Sequence, residues 1–165
     1  MSEPNLFESM VGDIPEEDHY IRLWFSLVGC FTSVERELRR QLQQRFDTSL
    51  PRFDVLTALV TFPDGLTMTE LATKLGVSKG NVTGVVRRLR EDGLVRQIRQ
   101  QDDRRVQLVV ISEEGLSRWE RMRAEYRVVV EQVLAEFTPE AADRLTARLV
   151  DAQQRIDSSV PLGST

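Results

Sequence analysis

The stretch LTMTELATKLGVSKGNVTGVVRRLREDGLVRQIRQQDDRRVQLVVIS, residues 66–112, decides the fold. Thr67-Met-Thr-Glu70 fits a capping box, in which the Thr hydroxyl and the Glu carboxylate satisfy each other's orphan backbone donors and open a helix. Leu71, Ala72 and Leu75 follow at helical spacing. Gly76 stands where a residue without Cβ ends a helix at no steric cost, and Val77 is expected to plug the corner. Ser78 is a strong N-cap for a second helix, from about Lys79 to Asp92. Val82, Val85, Val86 and Leu89 should face the core, leaving Ser78, Lys79, Asn81, Thr83, Arg87, Arg88 and Arg90 on the other face. Gly80 and Gly84 leave room for another backbone. After Gly93, the runs 94–98 and 106–111 read as two strands around a polar tip, 99–105. Two short helices, a tight turn and a basic hairpin make a winged helix-turn-helix.

In such a fold the second helix enters a major groove, and the exposed basic face is the chemistry for it: Ser78, Lys79, Asn81, Thr83, Arg87 and Arg88. The tip supplies Asp103, Arg104 and Arg105. An arginine there is drawn to the negative potential of an adjacent minor groove, and Asp103 is spaced to steady Arg105 from the same side of an extended segment. An ordinary amphipathic helix with a solvated basic face is the plainer alternative. A protein–protein adaptor on the same fold would carry apolar or acidic residues where this helix carries basic ones.

The runs LATKLGVSKGNVTGVVRRLREDGLV (71–95) and DRRVQLVVIS (103–112) resemble the MarR family of bacterial transcription regulators, whose wing has D-x-R followed by a helix-starting hydroxyl residue. Here these are Asp103, Arg105 and Ser112; Ile111-Ser112 replaces the usual Leu-Thr and keeps the cap chemistry. The resemblance runs from about Tyr20 to Ile156. It implies a homodimer on a double-stranded operator, most often a repressor released by a small ligand. Cys30 followed by VERELRRQL, with TSLPRFDVL and GLTMTEL further on, is similar to the branch that answers to aromatic acids or their coenzyme A thioesters.

Composition sets the outer bounds. With 165 residues, 41% hydrophobic and 29% charged, the chain is domain-sized and globular. No apolar run is long enough to span a bilayer, the N-terminus has no basic, apolar leader, and the single cysteine excludes an internal disulfide, so a cytoplasmic location is expected. The net charge of −4 hides an asymmetry: residues 1–20 hold six acids and no Lys or Arg, whereas residues 66–112 hold nine Lys/Arg against five Asp/Glu. Local charge, not the total, governs affinity for nucleic acid. The expected organisation is an acidic tail over 1–20, disordered or wrapped on a partner subunit, a helical dimerisation region over 21–62 and 113–160, and the winged helix over 63–112.

The scaffold reads as long helices. One spans Ile21 to Phe46, with Trp24, Val28, Phe31, Leu38 and Leu42 near one stripe. A second runs from Pro51 to Phe62, and a third from its Ser112 cap to about Phe137. The last opens at Thr138-Pro139. Its apolar positions Ala141, Leu145, Leu149, Ala152 and Ile156 alternate by four and three, a narrow seam for another helix.

Trp24 and Phe53, with Val28, are candidates to enclose an aromatic ring between the first helices and the reading domain, and Arg22, Arg39, Arg40 and Arg52 to meet its anionic end bidentately. Plain core and solvated arginines paired with Glu35 and Glu37 are the competing reading. Several phosphates on a coenzyme A thioester would need more than one arginine. Cys30 offers a thiol-based oxidant sensor as the alternative function, although it lies several residues past the sensing position of peroxide-responsive relatives and on an apolar stretch. His19 is the only histidine, so no metal site is expected, nor any cofactor. No phosphate loop, nucleophile elbow or metal cluster points to an enzyme.

Overall fold

The computed structural model describes residues 6–99 and 106–159. Among these are seven helices, α1 (Leu6–Asp13), α2 (His19–Phe46), α3 (Leu50–Thr61), α4 (Met68–Leu75), α5 (Lys79–Glu91), α6 (Glu113–Val133) and α7 (Pro139–Ser159), and two strands, β1 (Val95–Arg99) and β2 (Gln107–Ile111). The strands pair antiparallel, Val95 opposite Ile111 and Arg99 opposite Gln107. Leu66 adds a single bridge to Val109, its N–H donating at 3.0 Å and its carbonyl accepting at 2.8 Å. The chain is mainly α with one small β-hairpin, a winged helix-turn-helix as the motif predicts. It divides into two compact units that meet between Val130 and Glu131.

Local chemistry sets the element ends. The Thr67–Glu70 capping box is fully formed, the Thr67 hydroxyl accepting from Glu70 N at 3.2 Å and Glu70 Oε2 accepting from Thr67 N at 2.8 Å. Gly76 closes α4 at φ 64°, and Ser78 caps α5 by accepting from Asn81 N at 3.3 Å. Ser112 caps α6, accepting from Gly115 N at 3.0 Å, and its own hydroxyl donates to Gly93 O at 2.7 Å. Thr138 accepts from Ala141 N at 3.3 Å at the start of α7. α6 ends at Val133, earlier than its apolar pattern predicts, and Leu134 and Phe137 lie exposed beyond it.

Within the first unit, one core joins Leu42 of α2, Phe53, Leu56 and Leu59 of α3, Leu71 of α4, Val82, Val86 and Leu89 of α5, Val95 and Val109 of the wing, and Trp119 and Met122 of α6. Trp119 Nε1 donates to Thr57 Oγ1 at 2.9 Å, which satisfies the polar end of a buried indole. Gly115 is where α6 meets the strand start: a Cβ there would stand 2.0 Å from Leu94 O.

Three expectations fail here. The acidic N-terminus is not wholly a tail, because Leu6–Asp13 is helical and α2 already begins at His19. Phe7, Met10, Val11 and Ile14 fall at i, i+3, i+4 and i+7 and are all partly buried; Phe7 stacks on Phe25 with centroids 6.3 Å apart. The stripe along α2 splits, with Leu38 and Leu42 buried but Trp24 and Phe31 60% and 66% exposed. Val77 does not plug the turn, being 45% exposed, whereas Val85 is half-buried and packs against the core as expected.

Candidate functional site

α5 buries Val82, Val86 and Leu89 and exposes Lys79, Gly80, Asn81, Thr83, Arg87, Arg88 and Arg90. The expected reading face is therefore assembled on one helix. Two of its cations are steadied: Arg90 Nη1 donates to Gln97 Oε1 of β1 at 2.7 Å, and Arg87 Nε lies 3.9 Å from Glu91 Oε1. Lys79 and Arg88 have no ion-pair partner among the described residues. Thr83 spends its hydroxyl proton on Lys79 O at 2.8 Å, so its oxygen is left as an acceptor. Among the described residues, nothing beyond the chain neighbours and the helix's own nearby backbone comes within 4 Å of a Cβ built on Gly80 or Gly84. The small residues expected to admit another backbone thus face open space. Asp103, Arg104 and Arg105, the expected wing tip, lie outside the described residues.

The expected ligand residues are not brought together. Phe53 is core, stacked on Tyr126 with centroids 4.9 Å apart, while Trp24 faces solvent and Val28 is half-buried on α2. The four arginines are all engaged. Arg22 Nη1 donates to Ile14 O at 3.4 Å, and Arg39 pairs with Glu35 at 2.8 Å. Arg40 holds Glu37 through two donors at 2.6 and 2.9 Å, which pulls the Glu37 carboxyl down to about 2. Arg52 bonds to Asp92 at the end of α5, and its Nε is buried without a partner. The i,i+4 and i,i+3 spacings make the first-helix pairs local products of the helix. The Arg52–Asp92 pair joins residues forty apart and instead ties α3 to the reading helix.

What the structure does show is a groove of about 590 Å³ where α2, α3, α4 and α5 converge. Phe31 and Arg39 come from α2 and Pro51, Asp54 and Val55 from α3, while Leu75, Val77, Val82 and Val85 complete an apolar wall. Of the seven expected ligand residues only Arg39 lines it. Asn81 lines it too, from the reading helix. Asp54 was missed, because nothing in PRFDVL separates an acid in a groove from one on a solvated helix face. Burial pushes its carboxyl up to about 6, against a downward pull from Arg39 and with a small upward push from Glu35. Burial, and then the Asp54 charge, hold the Tyr126 phenol above its usual range.

Cys30 is exposed on α2. No cluster of three or more His, Cys, Asp or Glu with metal-binding geometry occurs among the described residues, and none of the described helices is long and apolar enough to cross a membrane.

A family model for the MarR family matches residues 46–106, from the end of α2 to just before β2. The chain is 31% identical over 120 residues to the transcriptional activatory protein BadR of Rhodopseudomonas palustris, covering 71% of this chain and 68% of that one. It is 31% identical over 99 residues to an uncharacterized HTH-type transcriptional regulator of Bacillus cereus, where the match spans 60% of this chain and 64% of the relative. The homoprotocatechuate degradative operon repressor of Escherichia coli is 23% identical over 107 residues, covering 65% of this chain and 72% of that one. Among solved structures, a MarR family transcriptional regulator from Streptomyces coelicolor in complex with DNA superposes with a TM-score of 0.73 at 25% identity, over 86% of this chain and 88% of that one. Proteins of this kind are transcriptional regulators and not enzymes. With a family model matching residues 46–106 and BadR 31% identical over 71% of this chain and 68% of its own, the chain belongs to the MarR family of transcriptional regulators.

Proposed function

We propose that the chain is a homodimeric, cytoplasmic regulator that binds a pseudo-palindromic double-stranded operator and whose affinity for it responds to a small ligand. The observation that carries the DNA reading is α5: one continuous exposed face of Lys79, Asn81, Thr83, Arg87 and Arg88, with Gly80 and Gly84 open to an approaching backbone. Ser78 adds a helix N-terminus, where backbone N–H groups suit a phosphate. Asp103, Arg104 and Arg105 are assigned to the wing tip on the sequence motif, Arg105 entering the minor groove and Asp103 orienting it. A two-fold dimer doubles the phosphate contacts and sets half-sites about one helical turn apart, ~10–11 bp. The seam at Leu145, Leu149 and Ile156, exposed in the single chain, supports a helical dimer interface.

For the effector, the name of the homoprotocatechuate operon repressor supports an aromatic compound, and the sequence motifs support an aromatic acid or its coenzyme A thioester. The anionic end of such a ligand has to share or displace the partner that Arg22, Arg39, Arg40 and Arg52 each already hold. Relatives' names include both an activator and a repressor. Repression is our reading, and a reporter fused to the operator tests it: deleting the regulator raises expression if it represses and lowers it if it activates.

DNA binding is tested by fluorescence anisotropy with duplexes from the regulator's own promoter region over a series of salt concentrations. Tight binding should fall steeply with salt. Arg88→Ala and Arg105→Ala should each cost about 1–3 kcal/mol if they read a groove, without unfolding the protein. Unchanged affinity of both variants at fixed salt sinks the assignment of α5 and the wing as the reading surface.

A further inference from the structure

We infer that the cleft between α5, the start of α4 and β1 seats one phosphodiester of the operator backbone, with Gln97 as the residue that positions Arg90 for it. This rests on the reading of α5 and the wing as the DNA surface, and it adds Met68, Arg90 and Gln97 to that surface. The cleft holds about 180 Å³ and is lined by Met68, Thr83, Val86, Arg87, Arg90 and Gln97. Thr83, Arg87 and Arg90 follow at i, i+4 and i+7 and share one stripe of α5, whereas Asn81 and Val85 border the groove from the opposite edge of the helix.

Charge and hydrogen bonding decide the occupant. Among the described residues lining the cleft, Arg87 and Arg90 are the only ionisable ones. The only acids on α4, α5 and β1 are Glu70 and Glu91. Glu70 is turned back onto Thr67, accepting from its N–H and its hydroxyl at 2.8 Å each. Glu91 lies 3.9 Å from Arg87, and both side chains are well exposed. An arginine has donors and no acceptor, so Gln97 has to meet Arg90 Nη1 with its carbonyl oxygen, as it does at 2.7 Å. That leaves the Gln97 amide N–H groups without a partner among the described residues, beside the remaining donors of Arg90. Thr83 adds no donor, since its proton goes to Lys79 O. Two guanidinium groups, an amide and an apolar floor of Met68 and buried Val86 suit a sugar-phosphate unit, its oxygens on the donors and its deoxyribose on the floor. The location agrees. A helix in a major groove and a wing in the next minor groove straddle one sugar-phosphate strand, and a cleft between α5 and β1 faces that strand. Such a contact fixes depth and register without reading sequence.

Fluorescence anisotropy of operator and scrambled duplexes over a salt series tests the seat. Arg90→Ala should weaken both duplexes alike and leave their affinity ratio unchanged. One phosphate contact carries a salt slope of about 0.9, hence about fivefold in affinity near about 0.15 M salt; a dimer loses two, so the slope should drop by about two and the affinity by about thirtyfold. Arg90→Lys keeps the charge and loses the fork, so it should restore the slope but only part of the affinity. Gln97→Ala removes no charge and should weaken binding severalfold at an unchanged slope, and far less in the Arg90→Ala background than in the parent. Duplexes carrying one methylphosphonate linkage at a time locate the contact: one position per half-site should lose affinity for the parent and lose none for Arg90→Ala. Affinity and slope unchanged in Arg90→Ala, or a loss confined to the operator duplex, overturns the inference, the latter making Arg90 a base reader. An unchanged slope together with stabilisation by millimolar inorganic phosphate over chloride of equal ionic strength, in the parent and not in Arg90→Ala, makes the cleft a free-anion site and overturns it as well. A parent that binds no duplex removes the regulator reading and the seat with it, whereas a parent that binds with indifferent variants removes only the seat.

Discussion

Replacing Gly115 by Ala and Gly84 by Ala puts the same methyl group into two helices with opposite expected results. On propensity alone both changes stabilise, because glycine inside a helix costs about 0.5–1 kcal/mol relative to alanine. At Gly84 no described atom outside the helix's own nearby backbone lies within 4 Å of the new Cβ, so that gain should appear in full. At Gly115 the Cβ would stand 2.0 Å from Leu94 O, 2.9 Å from Leu94 C and 2.9 Å from Ile111 Cγ1. An ordinary carbon–oxygen approach is about 3.3–3.6 Å, so α6 and the strand start must separate by more than about 1 Å. The obstacle is backbone, which cannot swing aside as a side chain does.

Leu94 O also accepts from Ser112 N at 3.0 Å, and the Ser112 hydroxyl ties Gly93 O to the first turn of α6. Forcing the two segments apart therefore strains these bonds as well. Overpacking costs about 1–3 kcal/mol and a weakened hydrogen bond about 0.5–1.5, so repulsion exceeds the propensity gain and the net loss is about 2–3 kcal/mol. Urea unfolding followed by circular dichroism, at one fixed protein concentration, measures it. The midpoint should fall by about 1–2 M for Gly115→Ala and rise by a few tenths for Gly84→Ala. A Gly115→Ala protein as stable as the parent refutes the close approach of α6 to the wing. The Gly84→Ala protein has a second use: weaker operator binding despite higher stability is expected if a phosphate backbone comes close to this face of α5.

The Asp54 carboxyl titrates near 6 in the folded chain and near its ordinary value of 3.8 when unfolded. The folded state thus holds a proton that the unfolded state has released between about pH 4 and 6, and stability from this group falls as pH rises through that window. Asp54→Asn should accordingly stabilise the protein by about 1 kcal/mol at pH 7.5, after discounting for solvent screening of a half-buried group, with the gain vanishing toward pH 4; a gain that does not change with pH contradicts the burial argument. Cys30→Ser should leave operator binding and its ligand response intact, because the thiol is exposed and no hydrogen bond or ion pair engages it among the described residues; loss of binding on peroxide treatment that the substitution prevents makes the oxidant sensor the better reading. Sedimentation at micromolar concentration should give a dimer, and Leu145→Asp with Leu149→Asp should dissociate it; a monomeric parent binding DNA one subunit per site defeats the assignment of the α7 seam.

What could be read from the sequence was what neighbours in the chain decide. The caps at Thr67, Ser78, Ser112 and Thr138 and the left-handed stop at Gly76 each depend on three or four consecutive residues, and each formed where its pattern predicts. The Glu35–Arg39 and Glu37–Arg40 pairs follow from helical spacing in the same way. The helix at Leu6–Asp13 was legible but outweighed: Phe7, Met10, Val11 and Ile14 have helical periodicity, yet the six acids of residues 1–20 dominate a reading based on charge. The groove was not legible. Its walls come from four helices, and the character of Asp54 depends on which helices close over it and on Arg39 being already taken. The Arg52–Asp92 bridge and the need for glycine at 115 are likewise products of tertiary packing, with partners twenty to forty residues away.

The same packing gives α5 two sides, one bordering the groove and the other carrying the exposed basic face. Val82 is buried in the core and also borders the groove. Asn81 borders the groove and stands on the exposed face, and Val85 lines the groove from one turn further along. A ligand in the groove therefore touches the helix that carries Lys79, Thr83 and Arg88, without occupying the face these residues present. Such contact alters operator affinity only to the extent that the ligand prefers one setting of α5 against α2 and α3 over another. The Arg52–Asp92 bridge holds the far end of the same helix to α3, so the restraint on that setting is unequal along its length: fixed at the C-terminus, and at the N-terminus set by aliphatic contacts around the groove. A lever anchored at one end moves most at the other. Coupling should be strongest for contacts made by Lys79, Asn81 and Thr83 and weakest for those made by Arg90, which is held by Gln97. Double-mutant cycles between ligand occupancy and alanine replacements along α5 measure that gradient, and a coupling energy uniform from Lys79 to Arg90 is incompatible with an anchored helix.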